Sequence, residues 1–490
     1  MQSEFRNVGR HAMIYGIGVV LGKLASFLML PIYTRYLSPA DYGILELLGM
    51  TIDVIGMIAG VGLAAGVFKF YAEFSSDREK RQVISTVAIG GLALALVTCA
   101  AGIVFAEPLN QLVFRGGGNP QYFRIFFLVY FFQAAGAPAL MLLRIQQRSA
   151  LFVGVNLVKL ILTLGLNIYF VVFRHMGLPG VLLTNILVSG SVGLLLSGYT
   201  FYQVGVRFSP VMFRRMTRFG TPLVLWSLGS FVLTFSDRYF LNFINDETAV
   251  GIYALAYRFS FVLSTLAVMP FDQVWEPRRF EVAKRPDAAV IYRRMFFYLN
   301  LSMLAVATAM VVYVQDVLRI MSAPAFHTAY QVVPLILAAT VVQQWTAYCN
   351  LGLYLRDRTS LYAWSALFGV AAALALNFLL IPRYGIMGAG WATVGAYVVR
   401  FGVVYHFSQK QYHIDYPWAR VGALGLISLS AWIARALLAP DSIPLSLLVS
   451  TLLMLVAAMV AHSHVLNRGE REALHAAVRR ALPRRVFRIA

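Results

Sequence analysis

Five basic side chains interrupt the long apolar stretches of this 490-residue chain: Lys23, Lys159, Arg238, Arg258 and Arg400. A cation at the centre of a bilayer costs at least about 2.5–3.5 kcal/mol. A helical rise of about 1.5 Å per residue places Lys23, Lys159 and Arg258 near mid-depth. Arg238 lies at a helix end, from which its side chain could snorkel. So many cations at this depth predict a water-filled cavity and an anionic cargo.

Two roles are open for these cations. They could bind the cargo, with arginine offering a planar fork to a phosphate and lysine a mobile point charge. They could instead pair with carboxylates and hold helices together. Asp53 is the one carboxylate at mid-depth, and Glu46 shares its helix face seven residues earlier. Because acidic partners are too few, the cargo-binding candidates are Lys23, Lys159, Arg258 and Arg400.

Other polar side chains within the spans have alternative interpretations. Asp53 could be the partner of a cation or the protonatable group that couples transport to an ion gradient. The buried amides Gln343 and Gln344 could join helices or donate hydrogen bonds to a sugar. The gate candidates are Arg35, Asp237 and Arg238, which lie near the outer interface. The Asp237–Arg238 pair could form part of a gate or could be an ordinary snorkelling pair.

The elements that must position these side chains are transmembrane helices. Hydrophobic residues make up 59% of the chain and charged residues 13%, which is typical of an integral membrane protein. Apolar runs long enough to span recur throughout and predict an all-α polytopic protein of about fourteen helices. The first run, near 12–31, is too long for a signal peptide and has no small-residue cleavage site.

The net charge of +20 is explained by topology. With a cytoplasmic N-terminus, 29 of the 41 Lys and Arg residues fall inside, as the positive-inside rule requires. This bias predicts that both termini are cytoplasmic and argues against nucleic-acid binding. The residues placed outside are Arg35, Arg115, Arg124, Arg174, Arg319, Arg383 and Arg435.

The chain carries an internal repeat. An Arg-Ser-Ala-Leu-Phe run at 148–152 matches Arg-Thr-Ser-Leu-Tyr at 358–362, and a Gly-Ile pair recurs at Gly43 and Gly251. Because the offset spans six helices, both copies enter the membrane from the same side, which predicts parallel repeats about a pseudo-two-fold axis.

The repeat predicts four segments of the chain. A six-helix lobe at 1–206 and a second at 207–412 precede an appended helix pair at 413–463. The tail at 464–490 reads as a basic amphipathic helix on the anionic inner leaflet. A weaker interpretation of this tail is that it docks a biosynthetic partner such as a polysaccharide polymerase.

Several motifs resemble those of one family. Residues 28–43, Leu-Met-Leu-Pro-Ile-Tyr-Thr-Arg-Tyr-Leu-Ser-Pro-Ala-Asp-Tyr-Gly, are similar to the first helix and loop of polysaccharide-unit flippases. These flippases belong to the multidrug/oligosaccharidyl-lipid/polysaccharide (MOP) exporter superfamily. Residues 236–241, 251–257 and 376–390 resemble segments of their second half. The resemblance covers roughly the first 410 residues.

This resemblance implies a two-lobed fold of the MATE/MOP type around a central cationic cavity. It also implies export of a polyprenyl-pyrophosphate-linked oligosaccharide across a bacterial inner membrane, for an O-antigen or an exopolysaccharide. Alternating access of the lobes, biased by an H⁺ or Na⁺ gradient, would move the cargo, while the polyprenyl tail stays in membrane lipid.

Two other functions are weighed against this hypothesis. A MATE-like multidrug/cation antiporter should have an acidic cavity, whereas this chain carries cations. A lipid-linked-sugar polymerase or ligase would need catalytic groups on an outer loop, and the sequence has no paired carboxylates, nucleophile elbow or metal-ligand cluster. We therefore expect no enzyme activity, no catalytic residue, no metal and no cofactor.

Overall fold

The computed structural model describes residues 29–115, 117–438, 440 and 442–472, and these residues contain helices but no β-strand. Eleven of their helices are long and apolar enough to cross a membrane, or twelve when one bent pair counts as a span. A left-handed Gly385 (φ 53°) divides the longest of them into two. The predicted all-α polytopic architecture is therefore confirmed. Residues 12–28 of the predicted span at 12–31, which include Lys23, lie outside the described residues.

The helices are numbered here in chain order. They are α1 Leu30–Tyr36, α2 Pro39–Ala59, α3 Leu63–Glu73, α4 Asp77–Val104, α5 Ala106–Phe114, α6 Pro120–Ile145, α7 Ser149–Asn167, α8 Gly177–Val204, α9 Pro210–Ile244, α10 Glu247–Leu263, α11 Met269–Val282, α12 Ala288–Met321, α13 Val333–Tyr348, α14 Leu351–Leu355, α15 Thr359–Gln411, α16 Trp418–Leu437 and α17 Ile443–Val460. Turns of π-helix follow α7, α10 and α17, and a 3₁₀ segment precedes α13.

The described chain divides into two compact units. The first comprises the described residues up to Arg258 together with 321–332 and 362–400. The second comprises 259–320, 333–361 and the described residues from 401 onward. The lobe boundaries suggested by the repeat, at 206 and 412, stay a prediction.

Apolar side chains cover the outer surface of the spans. Leu195, Phe173 and Leu225 are each at least 70% exposed, which would be unfavourable in water. In a bilayer the surrounding lipid is equally apolar, so these side chains need no protein partner.

Local sequence signals fix the start of α2. The Ser38 hydroxyl accepts a hydrogen bond from the Asp41 backbone N–H at 3.1 Å, and the Asp41 carboxylate accepts one from the Ser38 backbone N–H at 3.0 Å. Pro39 occupies the first helical position, where its missing N–H has no partner to lose. This reciprocal cap fixes the residue at which α2 begins, one turn before Tyr42 and two turns before Glu46.

Helices α2 and α10 cross in backbone contact within the first unit. A Cβ atom added at Gly43 would overlap the Glu247 carbonyl, and one added at Gly251 would overlap the Pro39 carbonyl. The contact is reciprocal because each carbonyl lies four residues before the glycine of its own helix. Gly43 and Gly251 are also the pair that the predicted internal repeat matches.

The appended helices α16 and α17 are anchored in the second unit by a buried ion pair. An Arg435 guanidinium nitrogen lies 3.0 Å from the Asp316 carboxylate, and the Ser450 hydroxyl donates to the same carboxylate at 2.8 Å. Ser446 also contacts both charged groups. Arg435, which the charge pattern assigns to the outer side of the membrane, is buried because α12 and α17 supply a carboxylate and hydroxyls that replace water. The side of the membrane on which it lies stays a prediction.

The chain that follows α17 is held by Arg420. This side chain donates to the Val465 carbonyl at 2.8 Å and pairs with Glu470. Burial raises the pKa of Glu470, but hydrogen bonds from Arg420 and from the Asn467 backbone N–H lower it overall. Glu470 is therefore ionised at neutral pH and holds the start of the predicted tail. Most of that tail lies outside the described residues.

The glycine crossing predicts a position-specific effect of a single methyl group. Gly43→Ala or Gly251→Ala must push α2 and α10 apart and should cost roughly 1–3 kcal/mol. Gly49→Ala is the matched control: Gly49 also lies on α2, but a Cβ atom added there meets no atom within 4 Å. Thermal unfolding in detergent should show a lower midpoint for the first two variants alone. Equal midpoints for Gly43→Ala and Gly49→Ala would contradict the close crossing.

Candidate functional site

Arg258 is held at the surface of the first unit by two side chains of α2. Its Nε donates to the Tyr42 hydroxyl at 3.0 Å, and its Nη2 lies 3.7 Å from a Glu46 carboxylate oxygen. Tyr42 and Glu46 are four residues apart and so share a helix face. The Arg258 side chain is 35% exposed. Its guanidinium is therefore positioned by α2 but keeps donors that can reach an anion.

Glu46 is shared between two arginines. Its second carboxylate oxygen lies 3.4 Å from Arg238 Nε, without hydrogen-bond geometry, and the Glu46 side chain is 20% exposed. The carboxylate thus neutralises part of the charge of both guanidinium groups. It is the only acidic side chain within ion-pair distance of Arg258 among the described residues.

Arg238 does not snorkel, and the interpretation that it does is wrong. Its side chain is 1% exposed and donates to the Thr234 carbonyl and to the Asp237 carboxylate, both at 3.2 Å. The guanidinium carbon also lies 4.0 Å from the centroid of the Tyr257 ring, a cation–π contact. Packing against these groups, which the sequence pattern does not reveal, replaces the water that a snorkelling arginine would reach.

Asp237 accepts hydrogen bonds from the side chains of two neighbouring helices. Its carboxylate accepts from the Tyr253 hydroxyl at 2.7 Å, the Tyr257 hydroxyl at 3.3 Å and the Thr393 hydroxyl at 3.1 Å. These donors lie on α10 and α15, whereas Asp237 lies on α9. Together with Arg238, this buried and charge-balanced network ties the three helices to one another. A gating role for the pair, and for the exposed Arg35 at the end of α1, stays a prediction.

Lys159 lines a cavity of about 230 Å³ between α6, α7 and α8. The polar side chains around it are Gln133, Asn156 and Ser189, and Gln133 donates to the Ser189 hydroxyl at 3.4 Å. No acidic side chain of the described chain lines this cavity. The Lys159 ammonium therefore has room for an anion and no carboxylate to compete with one.

Arg400 is buried on α15 without a carboxylate partner in the described chain. Its Nη2 lies 3.4 Å from the Tyr362 hydroxyl, its guanidinium stacks on the Tyr362 ring at 5.4 Å, and its Nε has no hydrogen-bond partner. The face of the Tyr362 ring stabilises part of the positive charge of Arg400. Its guanidinium therefore keeps N–H donors for a further acceptor.

The three other candidates, Asp53, Gln343 and Gln344, differ in their exposure and in their partners. Asp53 is exposed and forms no ion pair with a cation of the described chain, so its interpretation as a structural partner is not supported there. Gln343 is exposed rather than buried. Gln344 donates to the Asp272 carboxylate at 3.0 and 3.3 Å within the second unit. Its amide nitrogen is thus already engaged.

Two pairings of side chains are not predicted by the sequence pattern. The pairing of Glu46 with Arg258 has one sequence signal, the spacing of four between Glu46 and Tyr42. The Asp316–Arg435 pair has one in Ser446 and Ser450, hydroxyls four residues apart on a largely apolar helix. In both cases the partner lies on a helix distant in sequence, so spacing alone could not supply it.

The fold and the ion-paired arginines within its spans define a multi-pass helical membrane protein. Residues 8–283, more than half of the chain, match the family described as polysaccharide biosynthesis protein. The chain belongs to this family. The resemblance identified from the motifs is thereby confirmed.

Two curated proteins are similar to this chain over different lengths. A probable low-salt glycan biosynthesis flippase of Haloferax volcanii is 20% identical over 429 residues, covering 86% of this chain and 88% of that protein. The lipid III flippase of Escherichia coli K12 is 28% identical over 171 residues, 34% of this chain and 38% of that protein.

Two solved structures show the same fold. The lipid II flippase MurJ, in an inward closed conformation, has a TM-score of 0.72 at 14% identity, covering 92% of this chain and 99% of its own. A MATE family multidrug resistance transporter of the MOP superfamily, inward-facing, has a TM-score of 0.62 at 17% identity, with coverages of 82% and 96%. At these identities the likeness concerns the fold alone.

The geometry predicts that the two arginines that share Glu46 contribute very differently to the stability of the protein. Arg238→Ala leaves buried Asp237 without its cation and should cost about 3–5 kcal/mol of stability. Arg258→Ala removes a partly exposed side chain and should cost about 1 kcal/mol or less. Thermal unfolding of the purified variants in detergent measures both.

A double variant controls for the loss of packing. Asp237→Asn with Arg238→Gln removes both charges of the buried pair and should recover part of the stability lost in Arg238→Ala. If Arg258→Ala proved as unstable as Arg238→Ala, Arg258 would be a structural residue.

Proposed function

We propose that this protein is a flippase that moves a polyprenyl-pyrophosphate-linked oligosaccharide from the cytoplasmic to the outer leaflet of a bacterial inner membrane. Such a cargo would serve the assembly of a surface polysaccharide. The observation that carries the proposal is Arg258, a partly exposed guanidinium of a membrane-spanning helix that Tyr42 and Glu46 anchor. Family membership and the flippase names of the relatives support it.

The diphosphate of the cargo would bind at Arg258. The planar guanidinium can make two parallel hydrogen bonds to phosphate oxygens, and such charge-assisted bonds are about twice as strong as neutral ones. The 3.7 Å separation from Glu46 is long for an ion pair, so this carboxylate is a weak competitor. In our proposal Glu46 balances Arg258 while the site is empty and yields to the diphosphate when the cargo enters.

Binding of a diphosphate beside Glu46 would need more positive charge than Arg238 and Arg258 supply. Arg238 and Arg258 are matched by Asp237 and Glu46, so the cluster is close to neutral without cargo. Lys159 and Arg400 have no carboxylate partner in the described chain and would supply the remaining positive charge, together with Lys23. Contact of the sugars with Gln343 stays a separate prediction, which the exposure of this amide supports.

The multidrug/cation antiporter is the rival within the same fold. A site that holds a cationic drug needs uncompensated carboxylates, and the carboxylates beside Arg238 and Arg258 are already paired. The polymerase or ligase alternative is weaker still. The proteins that this chain resembles over most of its length are flippases and transporters, and the protein is not an enzyme.

Transport would proceed by alternating access of the two predicted lobes. The polyprenyl tail remains in lipid, since enclosing an apolar chain in a polar cavity gains nothing over the bilayer. An H⁺ or Na⁺ gradient would supply the bias, with Asp53 as the coupling candidate because it is exposed and has no ion-pair partner in the described chain.

Export in cells tests the role of Arg258. Arg258→Ala should lower export of the surface polysaccharide roughly tenfold or more, the loss of one charge-assisted contact. Arg258→Lys should retain part of the activity because it keeps the charge but loses the fork. Arg215→Ala is a matched control that breaks an exposed 2.8 Å pair with Glu73 on the same unit. Normal export by Arg258→Ala, at equal levels of membrane-inserted protein, would exclude the clamp.

The proposed orientation places both termini and the segment between α11 and α12 in the cytoplasm. Asp287 is exposed in this segment, where it forms an ion pair with Arg285 at 2.9 Å. A cysteine introduced by Asp287→Cys should react with an impermeant thiol reagent in opened cells and stay unlabelled in intact ones. Labelling in intact cells would reverse the orientation.

A further inference from the structure

The second unit contains a large cleft between two antiparallel helices that the transport proposal does not use. Its volume is about 990 Å³. One wall runs from the π-helical turn Ser264–Val268 along α11, and the other is the first part of α12. Pro270 lies beside this turn, where it removes a backbone hydrogen-bond donor.

The cleft is cationic at one end. Arg278, Arg285 and Arg294 line that end, and Glu281 is the acidic side chain among them. Arg285 is engaged by Asp287 in two 2.9 Å hydrogen bonds. Arg278 forms no ion pair within the described chain, and Arg294 acts on Glu470 only through its charge. Two exposed guanidinium groups therefore face the cleft with donors free.

The other end of the cleft is apolar and open. Leu266 and Val274 line it and are 57% and 60% exposed. Arg278 follows Leu266 by twelve residues, so the cation and the apolar end lie roughly 18 Å apart along the helix. This separation suits a molecule with an anionic head and an extended hydrocarbon chain.

We infer that this cleft binds one anionic phospholipid, with its phosphate on Arg278 and Arg294 and an acyl chain along Leu266 and Val274. Basic pockets between membrane helices hold anionic head groups in this way. The volume exceeds that of a head group alone and leaves space for the upper part of a chain. The protein's own tail is a poor occupant, because residues 473–490 contain five arginines and no acidic residue.

Lipid binding to the purified full-length chain tests the inference. Native mass spectrometry of delipidated protein, titrated with phosphatidylglycerol or phosphatidylcholine, counts the bound lipids and gives their affinities. We expect one saturable phosphatidylglycerol and weaker binding of phosphatidylcholine. The double variant Arg278→Gln/Arg294→Gln should bind phosphatidylglycerol roughly thirtyfold more weakly, the effect of two basic contacts.

A control variant distinguishes binding in this cleft from nonspecific attraction of the lipid to the basic surface of the protein. Arg214→Gln/Arg218→Gln removes two exposed cations of α9 that form no ion pair in the described chain, and it should keep wild-type affinity. Equal affinity of the Arg278/Arg294 variant and the wild type would overturn the inference, as would equal binding of the two lipids. Tighter binding of a polyprenyl diphosphate, lost in the same variant, would also overturn it and assign the cleft to the cargo.

Discussion

The polar interior of the first unit depends on one carboxylate that faces two guanidinium groups. Glu46 lies 3.4 Å from Arg238 and 3.7 Å from Arg258. In a medium of low dielectric an unpaired charge is costly, so this carboxylate permits two cations to stay within the membrane. The two arginines nevertheless differ. Arg238 has Asp237 and aromatic rings as further partners, whereas Arg258 has the Tyr42 hydroxyl and is partly exposed.

This charge arrangement is mechanically linked to the glycine crossing. Gly43 follows Tyr42 directly on α2, and Gly251 precedes Arg258 by seven residues, two turns, on α10. Any motion that separates these helices must break the backbone contact and also pull Arg258 from Tyr42 and Glu46. An outward opening at this point would therefore weaken the hold on a bound anion at the stage when a flippase must release its cargo.

Much of the architecture, and less of the site, could be predicted from the sequence. Apolar runs and loop charges indicated the spans, since these patterns reflect the bilayer directly. Arg258 was singled out by its depth, and Gly43 and Gly251 by the repeat. The burial of Arg238, the shared Glu46 and the Asp316–Arg435 pair were not predicted. Each depends on which faces of distant helices meet, and helical periodicity gives the depth of a residue but not its partner.

Direct binding measurements test the central claim that Arg258 holds an anionic cargo against the weak competition of Glu46. The affinity of a polyprenyl diphosphate should be compared for the purified wild type, Arg258→Lys and Glu46→Gln in one detergent. The account predicts weaker binding by Arg258→Lys and tighter binding by Glu46→Gln, with a cationic dye bound less tightly than the diphosphate by the wild type. A wild type that prefers the dye, together with a Glu46→Gln variant whose diphosphate affinity is unchanged or lower, would contradict it.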